Sequence, residues 1–331
     1  MTETSIYPLR FEPICQYRLW GGRRLENWLR APLPGSEPIG EAWLLSDRDE
    51  DPSRVAEGPL KGCTIAQLMK QSPRQILGRL APRFRRFPLL LKFLDVQRML
   101  SVQVQPQDSK AELIPKGDTG KTEAWVVLEA GPASRVYAGL KPSVTATDLR
   151  AISKHTADDY LASFTPVRGQ SVLIEAGTVH SLGGGTVVFE VQENSDVTFR
   201  LYDWDHIDPK TGHPRPLQVE QALVCVDFAR GAVQPVEPRV EAHRTLSRER
   251  LVECSHFHMT RVESAAPFNV GATDVPRILV CVDGDGMIEY GGTDFRMEKG
   301  DVILLPAAVG RCRFRPVNPV TLLEVGIPEG Q

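Results

Sequence analysis

Three side-chain types in the middle of the chain have the chemistry to hold a divalent metal ion. His180 follows a strand-like run and a Gly177-Thr-Val turn, which aims its ring into the mouth of a barrel, where a neighbouring group can fix its orientation. Gln103 and Gln105 are two residues apart on a strand starting at Leu100, so both amides share one face and Val102 and Val104 take the other. Glu123 opens another strand, just after Gly120-Lys121-Thr122. One imidazole, one carboxylate and one or two amides make a hard-to-borderline divalent site with an open position for a substrate oxygen. Plainer alternatives stand beside this one. Alternation alone gives the two glutamines an outward polar face, a buried His is commonly a structural hydrogen-bonding residue, and Glu123 can simply sit at a solvated strand end.

Other chemical groups point elsewhere. His256-Phe-His258 sets two imidazoles on one strand face with no evident carboxylate partner, and reads as a solvated face. Gly183-Gly-Gly185 precedes a strand rather than a helix, which makes it a turn and not a phosphate loop. The cysteines, at 15, 63, 225, 254, 281 and 312, contain no C-x-x-C pair, so they read as reduced, mostly buried thiols. A zinc knuckle is thereby disfavoured, and a metal must be sought among His, carboxylate and amide groups.

The elements that position these residues belong to a globular chain. Its 331 residues, 41% hydrophobic and 24% charged, supply one large domain or two smaller ones. Lys plus Arg number 39 against 42 Asp plus Glu, and a net charge of -3 exerts no general pull on nucleic acid or an anionic membrane. The run Arg83-Phe84-Arg85-Arg86 reads as a solvated face. Phe87 to Leu94, the longest apolar stretch, is interrupted by Lys92 and falls far short of the roughly 20 residues of a membrane span. Met1 to Pro13 lacks the basic start and apolar run of a secretory signal. A cytoplasmic protein without nucleic-acid or membrane partners is expected.

Helix signals are few. Thr64-Ile-Ala-Gln67 is a capping box, and Ser72-Pro73-Arg-Gln75 puts Pro at a first helical position, so Ile65 to Leu80 reads as two short helices. Thr145 to Phe164 also reads as helical, with a restart at Thr156. Strands are expected over Leu100–Gln105, Thr122–Leu128, Arg135–Leu140, Ser171–Glu175, Thr186–Gln192 and Val197–Trp204, and again at short spacing from Arg277 to Val325. Gln218 to Arg250, with Pro235 and Pro238, reads as a connection. The expected fold is mainly β, two jelly-roll units with a small helical insertion, divided as residues 1–234 and 235–331.

A faint internal repeat supports two like units. Gly169-Gln-Ser-Val-Leu-Ile-Glu-Ala-Gly-Thr-Val-His180 and Gly300-Asp-Val-Ile-Leu-Leu-Pro-Ala-Ala-Val-Gly-Arg311 both run glycine, polar pair, apolar strand, small turn. Both resemble the second sequence motif of the cupin family, whose His binds metal. His180 stands at that position in the first copy and Arg311 in the second, so only the first cupin-like unit is expected to hold metal.

In order along the chain, Trp20-Gly21-Gly22, Gly40-Glu-Ala-Trp43, Leu45-Ser46-Asp47, Phe87-Pro-Leu-Leu-Leu-Lys92-Phe-Leu-Asp and Leu100-Ser101-Val-Gln103-Val are followed by Gly120-Lys121-Thr122-Glu123, Ala176-Gly177-Thr178-Val179-His180 and Asn194-Ser-Asp196-Val-Thr-Phe-Arg200-Leu-Tyr-Asp. Together they resemble type I mannose-6-phosphate isomerase, a zinc-dependent cupin family, in its compact bacterial form. The resemblance implies interconversion of mannose 6-phosphate and fructose 6-phosphate, with one Zn2+ per chain. By motif, Gln103, Glu123 and His180 match metal ligands, Arg200 and Lys121 match catalytic positions, and Lys92 and Ser101 match substrate-binding positions. The family moves a proton between C1 and C2 through an enediol-like intermediate, for which a metal acts as Lewis acid and a guanidinium fork orients the substrate.

One position departs from the family. Where the family has Gln-Val-His-Pro, this chain has Gln103-Val-Gln105-Pro. Amide oxygen is a poorer zinc ligand than imidazole, so weaker zinc affinity or a shift to another divalent ion is expected. Gln105 itself has three readings: ligand, neighbour of a water in the ligand position, or mark of a catalytically impaired sugar-phosphate-binding or regulatory homologue. An iron-dependent cupin oxygenase needs at least two His around its metal, and only His180 is placed for that.

Overall fold

Short runs rich in valine, isoleucine and aromatics, separated by glycine turns, satisfy their backbone by pairing laterally and bury their apolar faces by stacking sheets. In the computed structural model, which describes residues 6–242 and 246–329, they form two pairs of sheets with antiparallel pairing throughout. In the first pair, a six-stranded sheet runs Ile14–Gly22, Ile39–Leu45, Leu89–Val96, Thr186–Glu193, Glu123–Glu129, Ser171–Ile174. Against it lies a five-stranded sheet ordered Phe199–Tyr202, Val102–Val104, His180–Gly183, Arg135–Leu140, Leu161–Phe164. The second pair has seven and four strands; apart from Leu9–Arg10, which adds to its edge beside Val302–Leu305, its strands lie between Arg239 and Gly326. The expected mainly β, two-unit jelly-roll architecture is what forms.

Alternation sorts the central strands onto two cores. Leu91, Phe93, Val187, Phe189 and Val191 pack into a large cluster that continues into the second pair of sheets through residues such as Ile278 and Leu322. Leu94, Val96 and Val188 face the other way, into a smaller cluster shared with Val136, Ala138 and Leu182 of the five-stranded sheet. Strands buried on both faces read as near-continuous apolar runs, which accounts for Phe87 to Leu94. A third cluster, including Leu149, Ile152, Ala157 and Leu223, covers Val102, Val104 and Leu201 from outside.

Turn and cap chemistry matches the sequence in detail. Thr64 and Gln67 exchange both capping-box hydrogen bonds ahead of helix Ile65–Gln71, and Pro73 begins helix Pro73–Leu77. Gly169 and Gly300 occupy the same left-handed turn, φ +88° and +90°, two residues before equivalent strands. Gly183-Gly-Gly185 is the turn expected of it, and a Cβ at Gly184 would collide with the Ala133 carbonyl. All six cysteines are free, three buried and three half-buried. Among the described residues no helix is long and apolar enough to cross a membrane.

Three expectations need correction. Thr145 to Phe164 is helical only over Ala146–Arg150 and Ala157–Tyr160, while Leu161–Phe164 is a strand paired with Arg135–Leu140, because pairing at a sheet edge outweighs weak local helix preference. Gln218 to Arg250 is more than a connection: it holds helix Val219–Cys225, strand Arg239–Ala242 and the start of strand Leu246–Glu253. Residues 243–245 of that stretch lie outside the described ones. Its charged strands are stabilised by pairing with each other and with the hairpin partner His258–Ser264, which local alternation does not reveal. Finally, His256 and His258 do not share a solvated strand face. His256 lies in the bend before the strand that His258 opens, and both are half-buried.

Candidate active site

Strand Val102–Val104 lies between His180–Gly183 and Phe199–Tyr202, so Gln103 is the cross-strand neighbour of both His180 and Arg200. Because Val102 and Val104 are drawn into the cluster under the helices, Gln103 and Gln105 point inward. The Nε2 of each lies 3.2 Å from Nε2 of His180, and Glu123 Oε1 lies 3.3 Å from the same nitrogen. His180 Nδ1 is 2.8 Å from the Thr178 carbonyl, to which it donates. That bond places the ring proton on Nδ1 and leaves the Nε2 lone pair facing the two amides and the carboxylate. Burial lowers the His180 pKa to about 4, with the Thr178 bond opposing and the Lys121 charge assisting, so the ring is neutral near pH 7.

This donor set fits a divalent ion. Gln105 Oε1 is buried and has no partner, and rotating that amide end would carry the oxygen to where its nitrogen now stands. Gln103 Oε1 accepts from Ser101 Oγ at 2.9 Å, and the hydroxyl can equally accept from the amide nitrogen if that end turns. His180 and Glu123 are the only groups here of the His, Cys, Asp or Glu type. Among the described residues no three such groups gather, and here the amides complete the set. Gln105 and His180 are fully buried beneath a cleft of about 410 Å³ that Gln103, Glu123, Ser101, Lys92, Lys121 and Arg200 line.

Cationic groups on the cleft wall are held by register. Lys92, facing Glu190 across one strand boundary and Trp43 across the other, has its Nζ 3.3 Å from Glu190 and 3.8 Å from Glu41. Burial opposes ionisation of Glu41, but Arg18, Lys92 and the Trp43 indole together hold its pKa well below the usual carboxylate range. Burial instead prevails at Glu190 and raises its pKa, with Lys92 opposing, while Trp125 Nε1 donates to it at 2.9 Å. Lys121 Nζ is 2.9 Å from Glu123. Although burial disfavours its charge, Glu123, Glu190 and Asp196 raise its pKa, so it remains an ammonium rather than acquiring the depressed pKa of a base. Arg200 is not paired with a neighbouring Asp. Asp203 is taken by Arg215, at 2.9 and 2.5 Å, and the Arg200 Nε is buried without a partner.

Residues 9–137 match the family model for the phosphomannose isomerase type I catalytic domain. The chain is 30% identical over 320 residues to the probable mannose-6-phosphate isomerase GmuF of Bacillus subtilis, covering 95% of this chain and 99% of that protein. It is also 30% identical over 309 residues to a mannose-6-phosphate isomerase of Streptococcus mutans, covering 93% and 95%. This chain belongs to the mannose-6-phosphate isomerase family. A crystal structure of the mannose 6-phosphate isomerase from Bacillus subtilis matches it with a TM-score of 0.88 at 27% identity, over 97% of this chain and 100% of the other.

The fold brings together all seven family-matched residues, namely Gln103, Glu123, His180, Arg200, Lys121, Lys92 and Ser101, around one cleft floor. Gln105, where this member departs from the family motif, occupies the same cluster. Sequence reasoning missed Glu190, Glu41, Arg18 and Arg215, all of which line the cleft. Glu190 carried a signal: a carboxylate inside the apolar run Thr186–Gln192 demands a buried partner, and Lys92 inside Phe87–Leu94 demands the same. Arg18, between Tyr17 and Leu19-Trp20, carried the same signal, whereas Arg215, between two prolines, carried none.

Proposed function

We propose that this protein interconverts mannose 6-phosphate and fructose 6-phosphate with the help of a divalent metal ion, zinc in the first instance. The convergence of Gln103, Gln105 and Glu123 on the free nitrogen of His180, at the floor of a cleft walled by Lys92, Lys121 and Arg200, carries this reading. Gln103, Glu123 and His180 would hold the ion, with Gln105 beside them offering its amide oxygen. A bound ion supplies Lewis-acid stabilisation of negative charge on substrate oxygens.

The chain's own residues account for the rest of an isomerisation through an enediol-like intermediate. Arg200, lacking a carboxylate partner, has its guanidinium available for the substrate; Ser101 and Lys92 line the same cleft and contact the bound sugar phosphate. Lys121 stays protonated and donates hydrogen bonds to oxygens that gain charge as the carbon-bound proton leaves. Glu190, held as a carboxylate beside Lys92 and made more basic by burial, is suited to take that proton from one carbon and return it to the other, emerging unchanged. The test is turnover of mannose 6-phosphate by chelator-treated protein to which zinc and other divalent ions are returned. Metal-dependent formation of fructose 6-phosphate is expected; folded protein inactive with every metal overturns the reading.

A further inference from the structure

His256 belongs to the second pair of sheets, yet its Nδ1 lies 3.1 Å from Glu193 Oε1, at the end of strand Thr186–Glu193 in the first. The other oxygen of that carboxylate accepts from the Thr122 backbone N–H at 2.8 Å, while the Glu193 N–H donates to the Thr122 carbonyl at 3.1 Å. Thr122 is therefore gripped at both ends of its backbone by one residue. It stands between Lys121 and Glu123, and its hydroxyl accepts from the Ala176 N–H at 3.3 Å, at the start of the turn leading to His180.

We propose that His256 is a positioning residue: by fixing the Glu193 carboxylate it holds the Thr122 backbone, and so sets where Lys121 and Glu123 project into the cleft. This rests on the function proposed above. Without the imidazole, the exposed side of the carboxylate is free to rotate, and the strand start that carries both groups loses one of its restraints. A displacement of about 1 Å can cost on the order of 100-fold in rate when reacting groups must be aligned, so a modest slackening is visible in turnover. The second pair of sheets thus supports the chemistry without touching the substrate.

The experiment compares His256→Ala, His256→Asn and His256→Gln in the full chain, reading kcat and KM for mannose 6-phosphate and hydrogen exchange over residues 119–125. Asn places its amide nitrogen where Nδ1 stands and keeps the donor to Glu193, whereas the Gln nitrogen lies one bond further out, where Nε2 stands. For Ala and Gln, kcat is expected to fall about tenfold, the loss of one hydrogen bond to a charged group, with KM little changed. Exchange at Thr122 is expected to quicken in both, and Asn to restore most of kcat and protection. Gln serves if Ala does not fold. Unchanged kcat and exchange in the folded Gln variant, or equal losses in Asn and Gln, would overturn the proposal. If the wild-type protein itself shows no isomerase activity, the functional reading fails separately; exchange at Thr122 still decides whether His256 holds this backbone.

Discussion

Nε2 of Gln105 stands 3.2 Å from Nε2 of His180, while the oxygen of the same amide is buried with no partner. A buried acceptor left unpaired is costly, and under the proposed function it is the oxygen this amide would turn toward a bound ion. Replacing it by imidazole supplies a better zinc donor at the same place. Gln105→His is expected to raise zinc affinity by at least the roughly 10-fold that changes around metal ligands commonly produce. Competition against a fluorescent chelator measures this, and unchanged or weaker binding would exclude Gln105 from the ligand position.

Arg200 gives a different signature. Its buried Nε has no partner, and both burial and the nearby Arg215 lower its pKa, so the folded protein gains little from this side chain. Arg200→Ala should therefore keep the thermal midpoint or raise it slightly while kcat/KM falls about 100- to 1,000-fold, the loss of one donor to developing charge. A variant with lowered stability and near-normal turnover would assign Arg200 a structural role instead.

Lys92 predicts the reverse for stability. Its ammonium is almost wholly buried between Glu190 and Glu41, and removing it leaves two carboxylates with less compensation. Lys92→Met is expected to cost about 3 kcal/mol in urea unfolding at neutral pH, as breaking a buried ion pair does. The deficit should shrink on acidification, as the Glu190 carboxyl, already raised by burial, takes up a proton.

A pH-dependent contribution to stability follows from His256. Its hydrogen bond to Glu193 raises its pKa above the ordinary 6.5, so folding favours the protonated ring. That stabilisation is complete below the unfolded value and disappears as pH rises through the higher folded value. The thermal-midpoint gap between wild type and His256→Asn should accordingly be widest near pH 6 and close on the alkaline side. A gap that widens with pH would show that the imidazole does not act as a cation here.

Much of this molecule was legible from local pattern. The capping box at Thr64, the glycine turns before Ser171–Ile174 and Val302–Leu305, and the alternation that puts Gln103 and Gln105 on one face are properties of a few consecutive residues. The strand at Leu161–Phe164 was not legible because its partner, Arg135–Leu140, lies outside the helix-like stretch, and those from Arg239 to Glu253 were not because their many charges mask the alternation until they pair with each other and with His258–Ser264.

Residue type and order determined a β architecture of two like units, the family, and the shared strand face of Gln103 and Gln105. They could not determine that Lys92 is offset by both Glu190 and Glu41, that Lys121 is held as an ammonium, or that Arg200 is left without a carboxylate. These depend on cross-strand register and burial, which juxtapose residues as much as 98 positions apart, as Lys92 and Glu190 are, and set the local dielectric in which each charge must exist. The same holds for His256, which local pattern assigned to a solvated face and the packing of the two units brought to Glu193.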